Sequence, residues 1–126
     1  MPADNLGILL LSGSHERAHY AFMLAVAAAA IGRPVVMFAS NEGCRALLHD
    51  WSSLRDSGRD ATVIAQGVAG FDELREAALE LGVRLLACEA GLRMAVLPAE
   101  ALLPAVEVAG IPTFLIAVGG AGIVTL

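Results

Sequence analysis

The chain contains no lysine; all eight of its basic residues are arginine. That absence removes Schiff-base chemistry and the phosphate-binding lysine of a P-loop. There is no C-x-x-C pair and no G-x-S-x-G elbow, which sets aside dithiol redox motifs and the serine hydrolase turn. Only two cysteines occur, Cys44 and Cys88, too few for a disulfide framework. Free thiols are expected, and with them a reducing cytoplasm. The stretch Met1-Pro2-Ala3-Asp4-Asn5 has no basic segment of the kind that opens a secretory leader. Positive charge is scarce overall, and the net charge of −5 argues against a nucleic-acid partner.

What is present is apolar. Residues of the hydrophobic class make up 57% of 126 positions, with 13 glycines besides. The length fits one domain over residues 1–126, long enough for a core without staples. The apolar excess predicts a sheet covered on both faces and apolar surface buried between subunits. From Val108 to Leu126 no charge occurs, a length that would span a bilayer. Gly110, Pro112, Gly119, Gly120 and Gly122 divide it into strand end, helix, turn and strand, so no membrane span is expected.

Continuous apolar runs mark strands at Leu6–Leu11, Val35–Ala39, Val83–Ala87, Ala105–Ala109 and Ile123–Leu126. Between them, Ser14 caps a helix from His15 to Ile31, closed at Gly32. Its second half, Ala21 to Ile31, is apolar all round, which predicts burial of one side on the sheet and the other on a partner subunit or a neighbouring helix. Ser40-Asn41 precedes a short helix from Glu42 to His49. Asp50 to Gly70 reads as a polar loop with its charges in water, pinned by Trp51 and Val63-Ile64. Phe71 to Leu81 is an amphipathic helix, with Phe71, Leu74, Ala78 and Leu81 on its buried face. A short helix follows Cys88, and another follows Pro112. Strand and helix alternate. The expected fold is therefore α/β, with a mostly parallel sheet of about five strands between helix layers.

In such sheets ligands bind outside the carboxyl ends of the strands. That edge would hold Ser12 to His15, Ser40 to Cys44, Cys88 to Gly91 and the segment near Gly110 to Thr113, with Ser14, His15, Asn41, Glu89 and Arg93 as candidate lining residues around Cys88 and Cys44. Cys88, at a strand end beside fresh helix N–H groups, is placed to ionise and act as a nucleophile. Arg93 would assist the thiolate; Glu89 would oppose it. The alternative is a small buried hydrophobe. Cys44, one turn into its helix, reads as packing or as a secondary thiol. His15 and His19 share a helical face beside Glu16, but the full zincin pattern is absent and no metal is expected. His15 reads as a surface histidine or as a proton donor to a bound group. The Ser12–His15 turn is also a candidate anion site for a small molecule or nucleotide.

Several segments together resemble the DsrE/DsrF/TusD-like sulfur-relay family. They are Phe71-Asp72-Glu73-Leu74, then Gly82-Val83-Arg84-Leu85-Leu86-Ala87-Cys88 with Gly91-Leu92-Arg93, and Pro34-Val35-Val36-Met37-Phe38 with Glu42-Gly43-Cys44. Val106-Glu107-Val108-Ala109-Gly110 and Ile123-Val124-Thr125-Leu126 complete the likeness. The resemblance implies a flavodoxin-like three-layer sandwich that assembles into homo-trimers or hexamers. It implies a sulfur carrier or sulfurtransferase, with sulfur held as a persulfide on Cys88 and exchanged with a donor or acceptor protein. No cofactor is implied. Members without a working cysteine act as structural subunits, which keeps a non-catalytic oligomeric subunit as the alternative.

Overall fold

A computed structural model describes residues 4–126; Met1, Pro2 and Ala3, part of the stretch read for a leader, lie outside the described residues. The chain runs β1 (Leu6–Leu10), α1 (His15–Ala30), β2 (Val35–Ala39), a 3₁₀ segment (Asn41–Leu47), α2 (Arg59–Ala65) and α3 (Phe71–Glu80). It continues through β3 (Arg84–Cys88), α4 (Glu89–Met94), a 3₁₀ turn (Ala99–Ala101), β4 (Glu107–Ala109), α5 (Ile111–Val118) and β5 (Ile123–Thr125). The five strands form one sheet in the order β4-β3-β2-β1-β5, and every pairing is parallel. Among the described residues no helix is long and apolar enough to cross a membrane.

Side chains on a strand alternate between faces, so each apolar run feeds two cores. Leu6, Ile8, Leu10, Val35, Met37, Ala39, Leu85 and Ala87 join the larger core, with Phe22 of α1, Phe71 and Leu74 of α3 and Leu92 of α4. Val36, Phe38, Leu86 and Cys88 face the other way and meet Phe114 and Val118 of α5. Phe38 and Phe114 stack with centroids 5.0 Å apart. The connections β1→β2, β2→β3 and β3→β4 all step toward one edge, while β4→β5 returns across the sheet through α5. Right-handed crossovers require that reversal in direction to change face, which is why α5 alone covers the second side.

Ser14 caps α1 by accepting the Arg17 N–H. Buried Ala18, Ala21, Phe22, Ala25 and Ala28 place one stripe of α1 inward. Its neighbour is α3, where Phe22 meets Phe71 edge-on at 5.4 Å. Of the two covers predicted for α1, the neighbouring helix is the one seen.

The polar segment after Asp50 departs most from expectation. It contains α2, whose Thr, Val and Ile have modest helix propensity and no clear periodic signal over seven residues. Asp60 is buried, not solvated. Trp51 does pin the segment: its Nε1–H donates to Asp72 at 2.7 Å and its ring packs on Phe71. Leu81, placed by periodicity on the buried face of α3, lies past its last turn and is exposed. The helix expected from Glu42 is a 3₁₀ segment, and the Ser40 side chain does not cap it.

Candidate thiol site at the β3–β4 crevice

Cys88 is both the last residue of β3 and the N-cap of α4. Its Sγ accepts the Gly91 N–H at 3.4 Å. The same glycine lets α4 come very close to the end of β2. A Cβ built on Gly91 would stand 2.5 Å from the Asn41 nitrogen and 2.6 Å from Ser40 Oγ. Any larger residue would have to displace α4 or the Ser40–Asn41 turn.

The chain leaves β3 toward the α1 side and leaves β4 toward the α5 side. Neighbouring strands whose exits diverge in this way open a crevice at their carboxyl ends. Here the crevice is a cleft of about 390 Å³ lined by Cys88, Glu89, Ala90 and Arg93 on one wall and Gly110, Ile111 and Pro112 on the other. Cys88 is 4% exposed and lines that cleft. Glu89 is turned to Arg93, which donates to its Oε1 at 2.9 Å across one helical turn. The carboxylate and guanidinium at the entrance thus offset each other.

Cys44 lies in the larger core, fully buried, and donates to the Ala39 carbonyl at 3.5 Å. Burial foremost, then the charge of nearby Cys88, pushes its thiol up to about 12, against some lowering by the Cys88 backbone N–H. At neutral pH it is a protonated packing group near the end of β3. Asn41 takes a left-handed backbone conformation, φ 53°, beside Gly91.

Ser14 and His15 stand apart from this cleft. The N–H groups of Ser14, His15 and Arg17 are taken by Ser12 Oγ, the Arg55 carbonyl and Ser14 Oγ. The turn read as an anion site therefore spends these donors on its own chain. His15 is not at the surface: it is wholly buried, with Trp51, Phe71 and His19 around its ring. Arg59 Nη1 meets His15 Nδ1 at 3.2 Å. An arginine can only donate, so Nδ1 accepts and the ring proton lies on Nε2. Nε2 then donates to Asp60 Oδ1 at 2.8 Å, and the same oxygen accepts the Phe71 N–H at 2.9 Å. His19 donates through Nε2 to the Ala69 carbonyl. These histidines tie α1, α2 and α3 together. Among the described residues no cluster of three or more His, Cys, Asp or Glu is placed to hold a metal ion.

Sequence reasoning placed Gly91 and the segment around Ile111 at this edge without giving either a role, and it read Asp60 as solvated. The roles depend on segments distant in sequence that only the fold brings together.

The sequence matches no family model and no curated protein. The fold is nevertheless shared. A protein of unknown function, MTH1491 from Methanobacterium thermoautotrophicum, superposes with a TM-score of 0.65 at 17% identity, covering 98% of this chain and 99% of that one. The ychN protein from E. coli superposes with a TM-score of 0.69 at 14% identity, with coverage of 98% and 99%. The chain is similar to these two proteins over its whole described length, and what the similarity establishes is a DsrE/YchN-like fold.

Proposed function

We propose that this protein is a sulfur carrier that holds sulfane sulfur as a persulfide on Cys88 and passes it to a partner thiol. The observation that carries this reading is the placement of Cys88. Its sulfur accepts a helix N–H, and the residue lines the cleft at the β3–β4 crevice. In the loading step the thiolate attacks the terminal sulfur of a donor R–S–SH. The donor's S–S bond breaks, a new S–S bond forms on Cys88, and R–S⁻ leaves. Transfer repeats the exchange with an acceptor thiolate, so no net oxidation occurs and no cofactor is consumed.

The donor and acceptor are thiol-bearing partners, and two free thiols suit a reducing compartment such as the cytoplasm. The protein is also proposed to assemble with copies of itself as a trimer or hexamer. Support for this comes from Met94, Val96 and Ile116, which are 79%, 86% and 81% exposed. They belong to α4, the turn after it and α5, the elements flanking the cleft. Tyr20, Met23 and Ile31, on α1 and at its end, are exposed as well. The same exposure, with the near-complete burial of Cys88, favours the second reading, a non-catalytic subunit of such an assembly.

Incubation with inorganic polysulfide followed by intact mass separates the two. A gain of one sulfur atom that is lost in Cys88→Ser supports the carrier. No gain on the unmodified chain leaves only the structural subunit.

A further inference from the structure

We propose that the group delivering sulfur to Cys88 is a small persulfide with an uncharged, apolar substituent, and that this substituent docks in a chamber beside the thiol. This inference rests on the sulfur-carrier reading above. The cleft over Cys88 adjoins a second cavity of about 200 Å³, and Ile111 lines both. Ser40 joins them from the sheet. Ala39 pairs with Ala87, so the next residues, Ser40 and Cys88, are neighbours on one face of the sheet. Ser40 lines the chamber and Cys88 the cleft.

The chemistry of the walls sets the class of occupant. Leu9, Phe38, Phe114, Leu115 and Ile123 line the chamber, and no charged residue does. In the adjoining cleft the lining cation, Arg93, is paired with Glu89 at 2.9 Å, both exposed to solvent. A donor that carried a carboxylate or sulfonate into the chamber would lose hydration there with no cation in its lining to replace it. An aromatic or short alkyl group gains by the same burial. The size agrees, since apolar cavities of about 150 Å³ take up benzene. During loading the chamber would hold the substituent while the Cys88 thiolate takes the terminal sulfur. The thiolate R–S⁻ that leaves collects a proton from solvent, and no oxidant is needed.

The test compares benzyl hydropersulfide with cysteine hydropersulfide on the full chain, following Cys88 loading by intact mass. Each rate is divided by that donor's rate with free N-acetylcysteine. The corrected ratio is expected to favour the benzyl donor about tenfold, the factor that partial burial of one aromatic ring supplies. In Leu115→Glu, a position half exposed on α5, the ratio should fall to about one. A second measurement needs no variant: benzyl methyl sulfide, which has no thiol to exchange with polysulfide, should slow loading from inorganic polysulfide, and S-methylcysteine should not. A ratio near one in the unmodified chain, or a ratio unchanged in Leu115→Glu, overturns the inference while leaving Cys88 a carrier. Indifference to benzyl methyl sulfide overturns it likewise. Absence of loading from every donor, polysulfide included, sinks the carrier reading itself and this inference with it.

Discussion

Replacing Asp60 tests the buried network most directly. Asp60 is 8% exposed, and a single oxygen, Oδ1, accepts both the His15 Nε2–H and the Phe71 N–H. Asp60→Ala leaves two donors without a partner, one on a ring with no exposure at all. A buried donor left unsatisfied costs roughly 1–3 kcal/mol, so the pair costs roughly 2–6 kcal/mol. Entry of water beside the partly accessible carboxylate position should hold the loss to about 2–4 kcal/mol, a large share of the roughly 5–15 kcal/mol typical of a domain. Asp60→Asn is the informative contrast. Its amide oxygen can occupy the Oδ1 position and accept both bonds, so its cost should stay near 1 kcal/mol. The assay is urea unfolding followed by fluorescence of Trp51, the one tryptophan, whose ring lies 5.9 Å from His15 and 5.1 Å from Phe71. Free energies come from linear extrapolation at equal slopes. Equal losses in the two variants would refute the single-oxygen geometry, and a loss under about 1 kcal/mol in Asp60→Ala would refute the network's importance.

Three further outcomes follow from the same structure. Cys44 has its thiol raised to about 12 against an ordinary 9.0. Above pH 9 the unfolded chain releases this proton while the folded chain keeps it, so stability should fall by about 1 kcal/mol per pH unit toward pH 12. Cys44→Ala should abolish that contribution to the slope, which pH-dependent unfolding would show. Gly91→Ala should destabilise by about 1–2 kcal/mol, a steric cost partly offset by better helix propensity, and should slow polysulfide loading of Cys88. Unaltered loading would mean that the Gly91 N–H does not help the sulfur. Arg75, 6% exposed, donates to the carbonyls of Ala46, Leu48 and His49 at 3.2, 2.6 and 3.2 Å. Arg75→Met strands all three and should cost about 2–4 kcal/mol in chemical denaturation; a loss below about 1 kcal/mol would show that solvent already satisfies them.

The sheet was legible because its strands are written as continuous apolar runs. β2 occupies Val35–Ala39, as its run indicates, and all five of its residues are buried. The helix caps at Ser14, Gly32 and Gly82 were legible for local reasons, and both glycines take the left-handed backbone, φ 88° and 82°. Both walls of the cleft were legible as strand-end segments, Cys88 to Gly91 and Gly110 to Thr113. Their meeting was not, because Gly110–Pro112 reaches Cys88 only through the pairing of β3 with β4. Asp60 was misread for the same kind of reason. Its charge suggested solvent, and its burial depends on His15 and Phe71 arriving from other segments with donors to meet it. Local sequence carries the strand order poorly and carries such three-way meetings not at all.

The pairing of β1 with β5 has a consequence for how the chain reaches this structure. Gly7 lies against Ile123, and Leu9 against Thr125. Their union must wait until the segment between them has been gathered in. Parallel pairings of such long sequence separation slow folding, to milliseconds or longer in comparable domains. Refolding should therefore show β1, β2 and β3 protected from hydrogen exchange before β5. Until β5 docks, the outer edge of β1 stays bare. That interval is when a chain this apolar is most exposed to aggregation, and when dilution or a chaperone would improve its yield.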